Sequence, residues 1–506
     1  MSLPELIEII PLDKPVRAEI TVPGSKSITN RALILAALAD GEVTLEGALW
    51  SEDTQIMTEC LQELGFMVNV QPDTNEPCNR TITVYGRGGE VPGGGTEQQP
   101  LELFVGNAGT AARFLAAFVC LGRGVYRLHG VERMHERPQA ALFQALRELG
   151  YRVEAEKDND KLPARIFGGE ISPGRSLDPL APKYRESLTG ISLGRTPRAC
   201  TISIADSSQF ASALMLGARR GGWEVKIVGE NTEESPYVAM TTKLIGAFPH
   251  RGGRFQIEPD ASSGSYFLAA GEISEPKELL EEFGTETTNL IQNTVTVIRW
   301  PNSDWQVDQR YPYYQKAQLF IRGLLEPGGH GPSPKREMML KILEQEPVMA
   351  FSRLGDLGDS IMLAIVMAPL DWLWLVKNKT VVKQKPIRFT DLGRLRVQEC
   401  ERVVALRTEL TKCGAKVIEE GDTLTVYPSE LHGAEMETYN DHRMAMCFAI
   451  LGLKVPGIKI KNPACVKKTF PNFFQKLAAP PPHGLGATIR DAATGHALGN
   501  DELFAE

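Results

Sequence analysis

The sequence lacks an apolar run long enough to cross a bilayer. Its most apolar stretch, residues 361–376, contains Pro369 and Asp371 and falls short of the roughly 20 residues that a membrane-spanning helix requires. Residues 1–13 are acidic and carry neither the basic segment nor the cleavage site of a secretory signal. We therefore expect no membrane partner and a cytoplasmic location.

Closely spaced cysteines are also missing. The eight cysteines are scattered along the chain, and no two of them form a C-x-x-C pair. Structural zinc sites and the disulfide frameworks of small secreted domains depend on such spacing. We expect no metal site and no disulfide framework, which fits a reducing compartment.

The chain has no excess of positive charge. It contains 55 Lys and Arg residues against 63 Asp and Glu residues, a formal net charge of −8. Nucleic-acid binding through an overall basic field is therefore not expected, although a local group of cations can still bind a small anion. With 506 residues the chain is too long for one compact core, so two domains are expected.

What the sequence does contain is one pattern that occurs six times. A short β-type run leads into a small polar loop, and the loop opens an Ala-, Leu- or Met-rich stretch of helical composition. The six copies span residues 18–39, 102–121, 201–218, 255–273, 351–368 and 436–453. Their unequal spacing indicates a divergent repeat with insertions, and a domain change is expected near residue 250.

The loops of these repeats are rich in Gly, Ser, Asp and Asn, residue types that cap helix N-termini. A helix N-terminus offers unpaired N–H groups and a partial positive charge, and both favour anions. Cations lie in or beside such turns: Lys26, Arg31, Arg113, Arg137, Arg402, Arg443 and Lys468. The pattern favours helix N-termini gathered around anions; ordinary capped helices with solvated surface charges are the alternative.

Two acids lie among these cations. Asp359 stands in LGDS at a predicted helix start, and Glu399 stands between Arg396 and Arg402. Such a carboxylate is either a structural ion pair or a group that transfers protons, because proton transfer between two substrates needs acids positioned among cations.

Six motifs together resemble the EPSP synthase family of enolpyruvyl transferases. They are GSKSITNRALILAAL (24–38), GNAGTAAR (106–113), RMHERP (133–138), SSQFASALM (207–215), YNDHRMAM (439–446) and KKTFP (467–471). The resemblance implies an α/β fold with two inverse α/β barrel-like domains, three βαβαββ-type units in each, and an active site in the interdomain cleft. The implied domains are residues 1–20 with 256–478, and residues 21–255. The composition of residues 479–506 predicts a weakly ordered tail.

The resemblance also implies a reaction. The 5-hydroxyl of shikimate 3-phosphate attacks C2 of phosphoenolpyruvate while C3 is protonated, and the adduct then expels phosphate. No cofactor and no metal are needed, so fixed cations and dipoles have to stabilise the developing charge. The implied partners are small anionic substrates, and a monomer is expected.

Site residues carried over by motif fall into three groups. Those implied to bind phosphoenolpyruvate are Lys26, Gly109, Arg137, Gln209, Arg402, His442, Arg443 and Lys468. Those implied to bind shikimate 3-phosphate are Lys26, Ser27, Arg31, Ser207, Ser208, Gln209, Tyr237 and Asp359, with Arg394 and Gln398 less directly matched. Those implied to transfer protons are Asp359 at the attacking hydroxyl and Glu399 at C3, assisted by Lys26 and Lys468.

The chain departs from the family pattern at several of these positions. Gln398 stands where the family has a Lys, Arg394 where it has an Asn, and Glu234 where it has a Ser. We hypothesise that Arg394 supplies the positive charge lost at Gln398. Phe114 stands where a Pro is common; the unaltered Gly109 and Thr110 imply at least partial sensitivity to glyphosate, which competes with phosphoenolpyruvate beside this turn.

Two other functions stay open from the sequence. One is the sister reaction on UDP-N-acetylglucosamine, although the loop around Met134 lacks the Cys that such transferases usually carry. The other is a non-catalytic paralogue that binds an anionic metabolite, which Glu234 and Gln398 favour. The joint presence of Asp359, Glu399 and Lys468 favours an enzyme.

Overall fold

The computed structural model describes residues 3–169, 198–204, 207–229, 235–274, 294–315, 349–371 and 386–505. The chain divides into two compact units. Unit 1 comprises Met1–Pro23, Thr74–Cys78 and Glu258–Glu506, and unit 2 comprises Gly24–Asp73 and Asn79–Ile257. The limits at residues 23 and 257 lie within a few residues of those that the sequence predicts.

The strands of the described residues, in chain order, are β1 (Leu6–Ile9), β2 (Ala18–Ile20), β3 (Glu42–Leu49), β4 (Val68–Pro72), β5 (Asn79–Tyr85), β6 (Leu101–Phe104), β7 (Gly124–His129), β8 (Arg152–Ala155), β9 (Ala164–Gly168), β10 (Arg198–Ser203), β11 (Trp223–Val228), β12 (Gly253–Gln256), β13 (Val295–Val297), β14 (Met349–Ser352), β15 (Ile387–Thr390), β16 (Val417–Glu420), β17 (Thr423–Val426), β18 (Glu435–Met436), β19 (Ile458–Lys461) and β20 (Ile489–Asp491).

The α-helices of the same residues are α1 (Lys26–Leu38), α2 (Glu52–Glu63), α3 (Gly109–Phe118), α4 (Glu132–Glu136), α5 (Ala140–Glu148), α6 (Ser208–Gly221), α7 (Ser235–Ala247), α8 (Ala261–Ser274), α9 (Ile361–Met367), α10 (Arg402–Lys412), α11 (His442–Gly452) and α12 (Phe473–Ala478). Single turns of 3-10 helix important for the site are Val307–Arg310, Gly358–Ser360, Gly393–Val397 and Pro463–Lys468.

The sheets of the two units share one design. In unit 2 the strand orders are β12-β3-β5-β4 and β6-β7-β9-β8, and in unit 1 they are β14-β15-β17-β16 and β18-β19-β1-β20. In each of these four orders the first two strands pair parallel. The third strand pairs antiparallel with the second, and the fourth pairs antiparallel with the third. Each unit adds one parallel pair, β10–β11 or β13–β2. Within the described residues each unit thus holds three sheets of related pattern, in agreement with the implied three-fold repeat.

The innermost helices are buried on nearly all sides. Every residue of α1 from Ile28 to Leu38 is buried, and α8 and α11 are buried over most of their length. A helix without a solvent-facing side lies inside a domain and not on its surface. In unit 2, α1, α3 and α6 pack against one another, and in unit 1, α11 packs against α8 and α9. Within the described parts of the chain, no helix has the length and apolarity to cross a membrane.

All six predicted strand–loop–helix copies are confirmed. They correspond to β2 with α1, β6 with α3, β10 with α6, β12 with α8, β14 with α9 and β18 with α11. The six innermost helices of the two units therefore each begin at one of the polar loops that the sequence singles out.

The C-terminal segment differs from the weakly ordered tail that its composition predicts. β20 pairs antiparallel with β1, and the side chains of Leu503 and Ala505 are buried. A few apolar residues suffice to hold the segment because β1 offers it an open edge of hydrogen-bonding groups.

Residues 74–78, between β4 and β5, belong to unit 1 although their flanking strands belong to unit 2. The buried Glu76 carboxylate accepts hydrogen bonds from Thr21 Oγ1 and Asn472 Nδ2, both at 2.7 Å, and pairs with Lys476 Nζ at 2.8 Å. Nothing in the sequence around Glu76 signals this anchor.

We predict that Glu76→Ala destabilises the protein by about 3 kcal/mol, because it leaves the largely buried Lys476 ammonium without its counter-ion. The midpoint of urea unfolding followed by circular dichroism measures this. Glu437→Ala is the matched control, since its pair with Lys461 is exposed and is worth about 1 kcal/mol or less. Equal shifts in the two variants would contradict the prediction.

Candidate functional site

The starts of α3 and α6 meet in unit 2. Gln209 Nε2 donates to Thr110 Oγ1 at 3.4 Å, which places the Gln209 side chain beside the first turn of α3. Arg137 Nη1 donates to the Asn107 carbonyl at 3.1 Å. A Cβ atom added to Gly109 would lie 2.6 Å from Arg137 Nη2 and 2.3 Å from Arg113 Nη1. Gly109 is therefore required for two guanidinium groups to lie directly over the helix start.

The first residue of α1 is Lys26, whose ammonium pairs with Asp53 at 3.0 Å. Asp53 is buried in the first turn of α2, so the ammonium is oriented by a fixed carboxylate while about a fifth of its side chain stays exposed. This partner was not predicted, since nothing distinguishes Asp53 from a helix-capping acid.

Three helices of unit 2 are joined by Arg31. Its Nε donates to Thr241 Oγ1 at 2.8 Å, its Nη2 to Ser212 Oγ at 3.0 Å, and its Nη1 to the Ser27 carbonyl at 2.9 Å. Thr241 Oγ1 also donates to the Tyr237 carbonyl at 2.8 Å. The buried Arg31 thus holds α1, α6 and α7 together. Ser27 and Tyr237 lie in the same hydrogen-bond network.

Ser207 and Ser208 stand at the start of α6. Ser207 is the N-cap, and its hydroxyl accepts from the Gln209 N–H at 3.2 Å; Ser208 is the first helical residue, and both side chains are buried. Glu234, the departure noted beside Tyr237, lies outside the described residues.

In unit 1, Arg402 is the centre of a second cluster. The fully buried guanidinium pairs with Asp441 through Nε at 2.6 Å and Nη2 at 3.1 Å, and with Glu399 at 2.9 Å. The other oxygen of Glu399 accepts from Lys468 Nζ at 3.1 Å. Glu399 thus lies between two cations, one of which, Lys468, keeps about a sixth of its side chain exposed.

Asp441 also organises the start of α11. Its carboxylate caps the helix by accepting from the Arg443 N–H at 2.9 Å while it holds Arg402. His442, the first helical residue, is buried beside it. Burial alone would lower the pKa of Arg402, but the charges of Asp441 and Glu399 outweigh burial and raise this pKa above its ordinary value. The buried guanidinium is therefore permanently charged.

Asp359 forms the third cluster, with Arg353 and Arg443. Its carboxylate lies 2.9 Å from Arg353 Nη2 and 3.1 Å from Arg443 Nη2. Arg443 also donates to Ser262 Oγ at the start of α8. Burial alone would raise the pKa of Asp359, but the surrounding guanidinium groups, led by Arg443, hold this pKa well below its usual value. Asp359 is thus an anion at neutral pH.

Two of the departures from the family pattern, Arg394 and Gln398, lie at the turn Gly393–Val397. Gln398 Oε1 accepts from Arg402 Nη1, a contact that a Lys side chain could not make. Arg396 is bound to Glu401, Glu419 and Asp422, so its charge is neutralised within unit 1. Arg394 is half-buried on the same turn.

The predicted residues thus assemble within each unit around helix starts. Unit 2 brings together Gly109, Arg137 and Gln209, with Lys26 fixed on α1; unit 1 brings together Glu399, Arg402, His442, Arg443, Lys468 and Asp359. The residues that sequence reasoning missed are the carboxylates that hold the cations, Asp53 and Asp441, and the buried Arg353. The sequence could have identified Asp441, because an Asp directly before a predicted helix is a typical N-cap residue.

Such clusters suit an anionic substrate that undergoes proton transfer. Fixed guanidinium groups and helix N-termini bind phosphate and carboxylate groups, and carboxylates held among them exchange protons. Among the described residues, no group of three or more His, Cys, Asp and Glu side chains is arranged to hold a metal ion.

An α/β protein of two repeat-built units, with cations and paired acids at the helix starts, is suited to bind an anionic substrate and to move protons on it. The sequence model described as EPSP synthase (3-phosphoshikimate 1-carboxyvinyltransferase) matches residues 11–178 and 372–477. The chain belongs to the EPSP synthase family.

Relatives are similar over almost their whole length. The 3-phosphoshikimate 1-carboxyvinyltransferase of Trichormus variabilis is 32% identical over 493 residues, covering 94% of this chain and 98% of the relative. The enzyme of that name from Opitutus terrae is 33% identical over 489 residues, covering 94% and 98%. These alignments include the stretch between residues 178 and 372 that the family model leaves unmatched.

Solved structures share the fold. An EPSP synthase from Acinetobacter baumannii superimposes with a TM-score of 0.62 at 18% identity, covering 96% of this chain and all of the other. The enolpyruvyl transferase NikO from Streptomyces tendae gives a TM-score of 0.55 at 14% identity, covering 97% and 99%. The implied two-domain enolpyruvyl transferase fold is thereby confirmed.

We predict that Gly109→Ala weakens binding of a phosphate-bearing anion about tenfold, because the new methyl group displaces the Arg137 and Arg113 guanidinium groups. Isothermal titration with phosphoenolpyruvate measures the change. Gly246→Ala is the matched control: it lies in α7 with no atom within 4 Å of the added Cβ. Unchanged affinity in Gly109→Ala would contradict the prediction.

Proposed function

We propose that this protein transfers the enolpyruvyl group of phosphoenolpyruvate to the 5-hydroxyl of shikimate 3-phosphate, a step of the shikimate pathway. The observation that carries the proposal is that two acids in unit 1 pair with cations suited to bind an anionic substrate. Asp359 pairs with Arg443, and Glu399 pairs with Lys468 and Arg402. Full-length similarity to 3-phosphoshikimate 1-carboxyvinyltransferases supports the choice of acceptor.

The reaction uses the two acids at different atoms. Asp359, anionic among its guanidinium partners, accepts the proton of the attacking hydroxyl as the new C–O bond forms at C2 of phosphoenolpyruvate. C3 gains a proton from the Glu399 and Lys468 pair. When the adduct collapses, C3 returns a proton to that pair and the C2–O bond to phosphate breaks. Phosphate leaves and takes up the proton that Asp359 accepted from the hydroxyl, and the enolpyruvyl double bond is restored.

The cations stabilise the charge that moves during these steps. We assign the phosphoenolpyruvate carboxylate and phosphate to Lys26, Gly109, Arg137, Gln209, Arg402, His442, Arg443 and Lys468, drawn from both units. Because Asp53, Asp441 and Glu399 already orient three of these cations, little reorganisation is needed when charge develops.

Shikimate 3-phosphate is assigned to Lys26, Ser27, Arg31, Ser207, Ser208, Gln209, Tyr237 and Asp359. Gln398 is bound to Arg402, and we therefore propose that Arg394 supplies the cation that the family places at position 398. We further propose a cytoplasmic location, which eight free cysteines support, and a monomer, which rests on the family resemblance.

Phosphate release from phosphoenolpyruvate tests the function. The purified protein is assayed alone, with shikimate 3-phosphate, and with UDP-N-acetylglucosamine. Release that depends on shikimate 3-phosphate supports the proposal. Release with the sugar nucleotide alone would assign the protein to the sister reaction, and folded protein inactive with both would favour a binding paralogue.

We predict that Arg394→Ala raises the KM for shikimate 3-phosphate about tenfold, with a smaller effect on the KM for phosphoenolpyruvate, because one cation facing the sugar phosphate is lost. Steady-state kinetics with each substrate varied in turn give both constants. Arg388→Ala, an exposed arginine of β15, serves as control. An unchanged KM for shikimate 3-phosphate would rule out the relocation of charge to Arg394.

A further inference from the structure

One segment outside the predicted repeats reaches the Asp359 cluster. This segment follows β13, and its turn Val307–Arg310 packs against the loop before α9. Asp308 Oδ1 accepts from the Ser360 N–H at 2.5 Å. A Cβ atom added to Gly358 would lie 2.6 Å from Asp308 Oδ2. Asp308 therefore sits directly on the turn that carries Asp359.

The segment is fixed there by its neighbours. The Gln306 side chain accepts from the Ala261 N–H at 3.0 Å and donates to the Pro259 carbonyl at 2.9 Å, at the start of α8. Arg310 Nη1 donates to the Gly355 carbonyl. The Asp308 carboxyl is thus anchored to the loops before both α8 and α9, next to a glycine with φ of +55°.

Asp308 faces charges of both signs. From neighbouring elements these are Asp359 on the Gly358–Ser360 turn, Arg443 on α11 and Asp260 before α8. Arg353 and Asp356 lie on the turn before Asp359, where Arg353 pairs with Asp359 and Asp356 accepts from the Ser352 N–H. Asp359 contacts Arg443 directly, and the charge of Arg443 also acts on the nearby Asp308 carboxyl.

The two carboxyl groups have opposite tendencies. Burial, and then the charge of Asp359, raise the pKa of Asp308 to about 7, while the guanidinium groups around Asp359 hold its pKa low. When two neighbouring acids have environments that separate their pKa values, the acid with the higher pKa keeps its proton while the other is ionised. Of the two, Asp308 keeps its proton to the higher pH, and Asp359 is the anion.

We propose that Asp308 is a positioning residue for the proposed reaction, which adjusts the affinity of Arg443 for an anionic substrate through its own protonation. When Asp308 is protonated it is neutral, so the positive charge of Arg443 is available to Asp359 and to the substrate. Ionised, it adds a second negative charge beside Arg443 and opposes the binding of an anion. The proposal rests on the proposed function for the identity of the substrate. The effect of Asp308 on the charge around Arg443 does not depend on that function.

The Asp308→Asn variant tests the proposal, since an Asn oxygen can still accept from the Ser360 N–H but cannot ionise. The KM for phosphoenolpyruvate is measured from pH 6 to pH 8.5 in both proteins, so that titration of the substrate cancels in the ratio. We expect equal KM values at pH 6 and a wild-type KM higher by about threefold or more at pH 8.5. A ratio that does not change with pH would overturn the proposal.

Thermal unfolding without substrate provides a second readout. The pKa of Asp308 is higher in the folded protein than in the unfolded chain, so ionisation of Asp308 lowers the stability of the folded state. This loss of stability is absent below the unfolded-state pKa and complete above about pH 7. The Tm of Asp308→Asn relative to wild type should therefore rise between pH 5 and pH 8. Asp304→Asn, an exposed acid of the same segment, should show no such trend.

The two readouts separate the two claims. A wild-type protein inactive with shikimate 3-phosphate would refute the proposed function, and the Tm series would still decide whether Asp308 ionises at the cost of stability. A Tm difference independent of pH, or the same trend in Asp304→Asn, would overturn the role of Asp308 even in an active enzyme.

Discussion

Charge compensation of buried guanidinium groups is the constraint on which the arrangement of unit 1 depends. Arg402 is fully buried, and a lone buried cation would cost several kcal/mol. Asp441 and Glu399 remove that cost, and Asp441 at the same time caps α11. The helix start, the position of His442 and the orientation of Arg402 are therefore set by one carboxylate. Asp359 has the corresponding part for Arg443 and Arg353.

In unit 2 the buried Arg31 donates to hydroxyl and carbonyl groups of three helices, and Gly109 leaves room for Arg137 over the start of α3. Of the predicted site residues, the acids Asp359 and Glu399 lie in unit 1, and unit 2 supplies helix starts and cations, with Asp53 orienting Lys26. For the proposed reaction this division is reasonable, because proton transfer needs acids while binding of two phosphorylated substrates needs cations in excess.

The fold could be predicted further than the site. Six polar loops before apolar helices gave the repeat, because helix capping and burial are local properties of the sequence. The anchor at Glu76 and the packing of the C-terminal strand β20 could not be predicted, since both depend on partners distant in the chain, Lys476 and β1. The same is true of Asp308. Its role depends on contact with a turn about 50 residues away, and no local pattern marks it.

The central claim is that the cations held at the helix starts bind the substrates of the proposed reaction. Hydrogen–deuterium exchange of the protein with and without phosphoenolpyruvate and shikimate 3-phosphate tests it most directly. The account predicts that both substrates together slow amide exchange in the first turns of α3 and α6 in unit 2, and of α11 in unit 1. Unchanged exchange in these first turns, in protein that turns over, would contradict it.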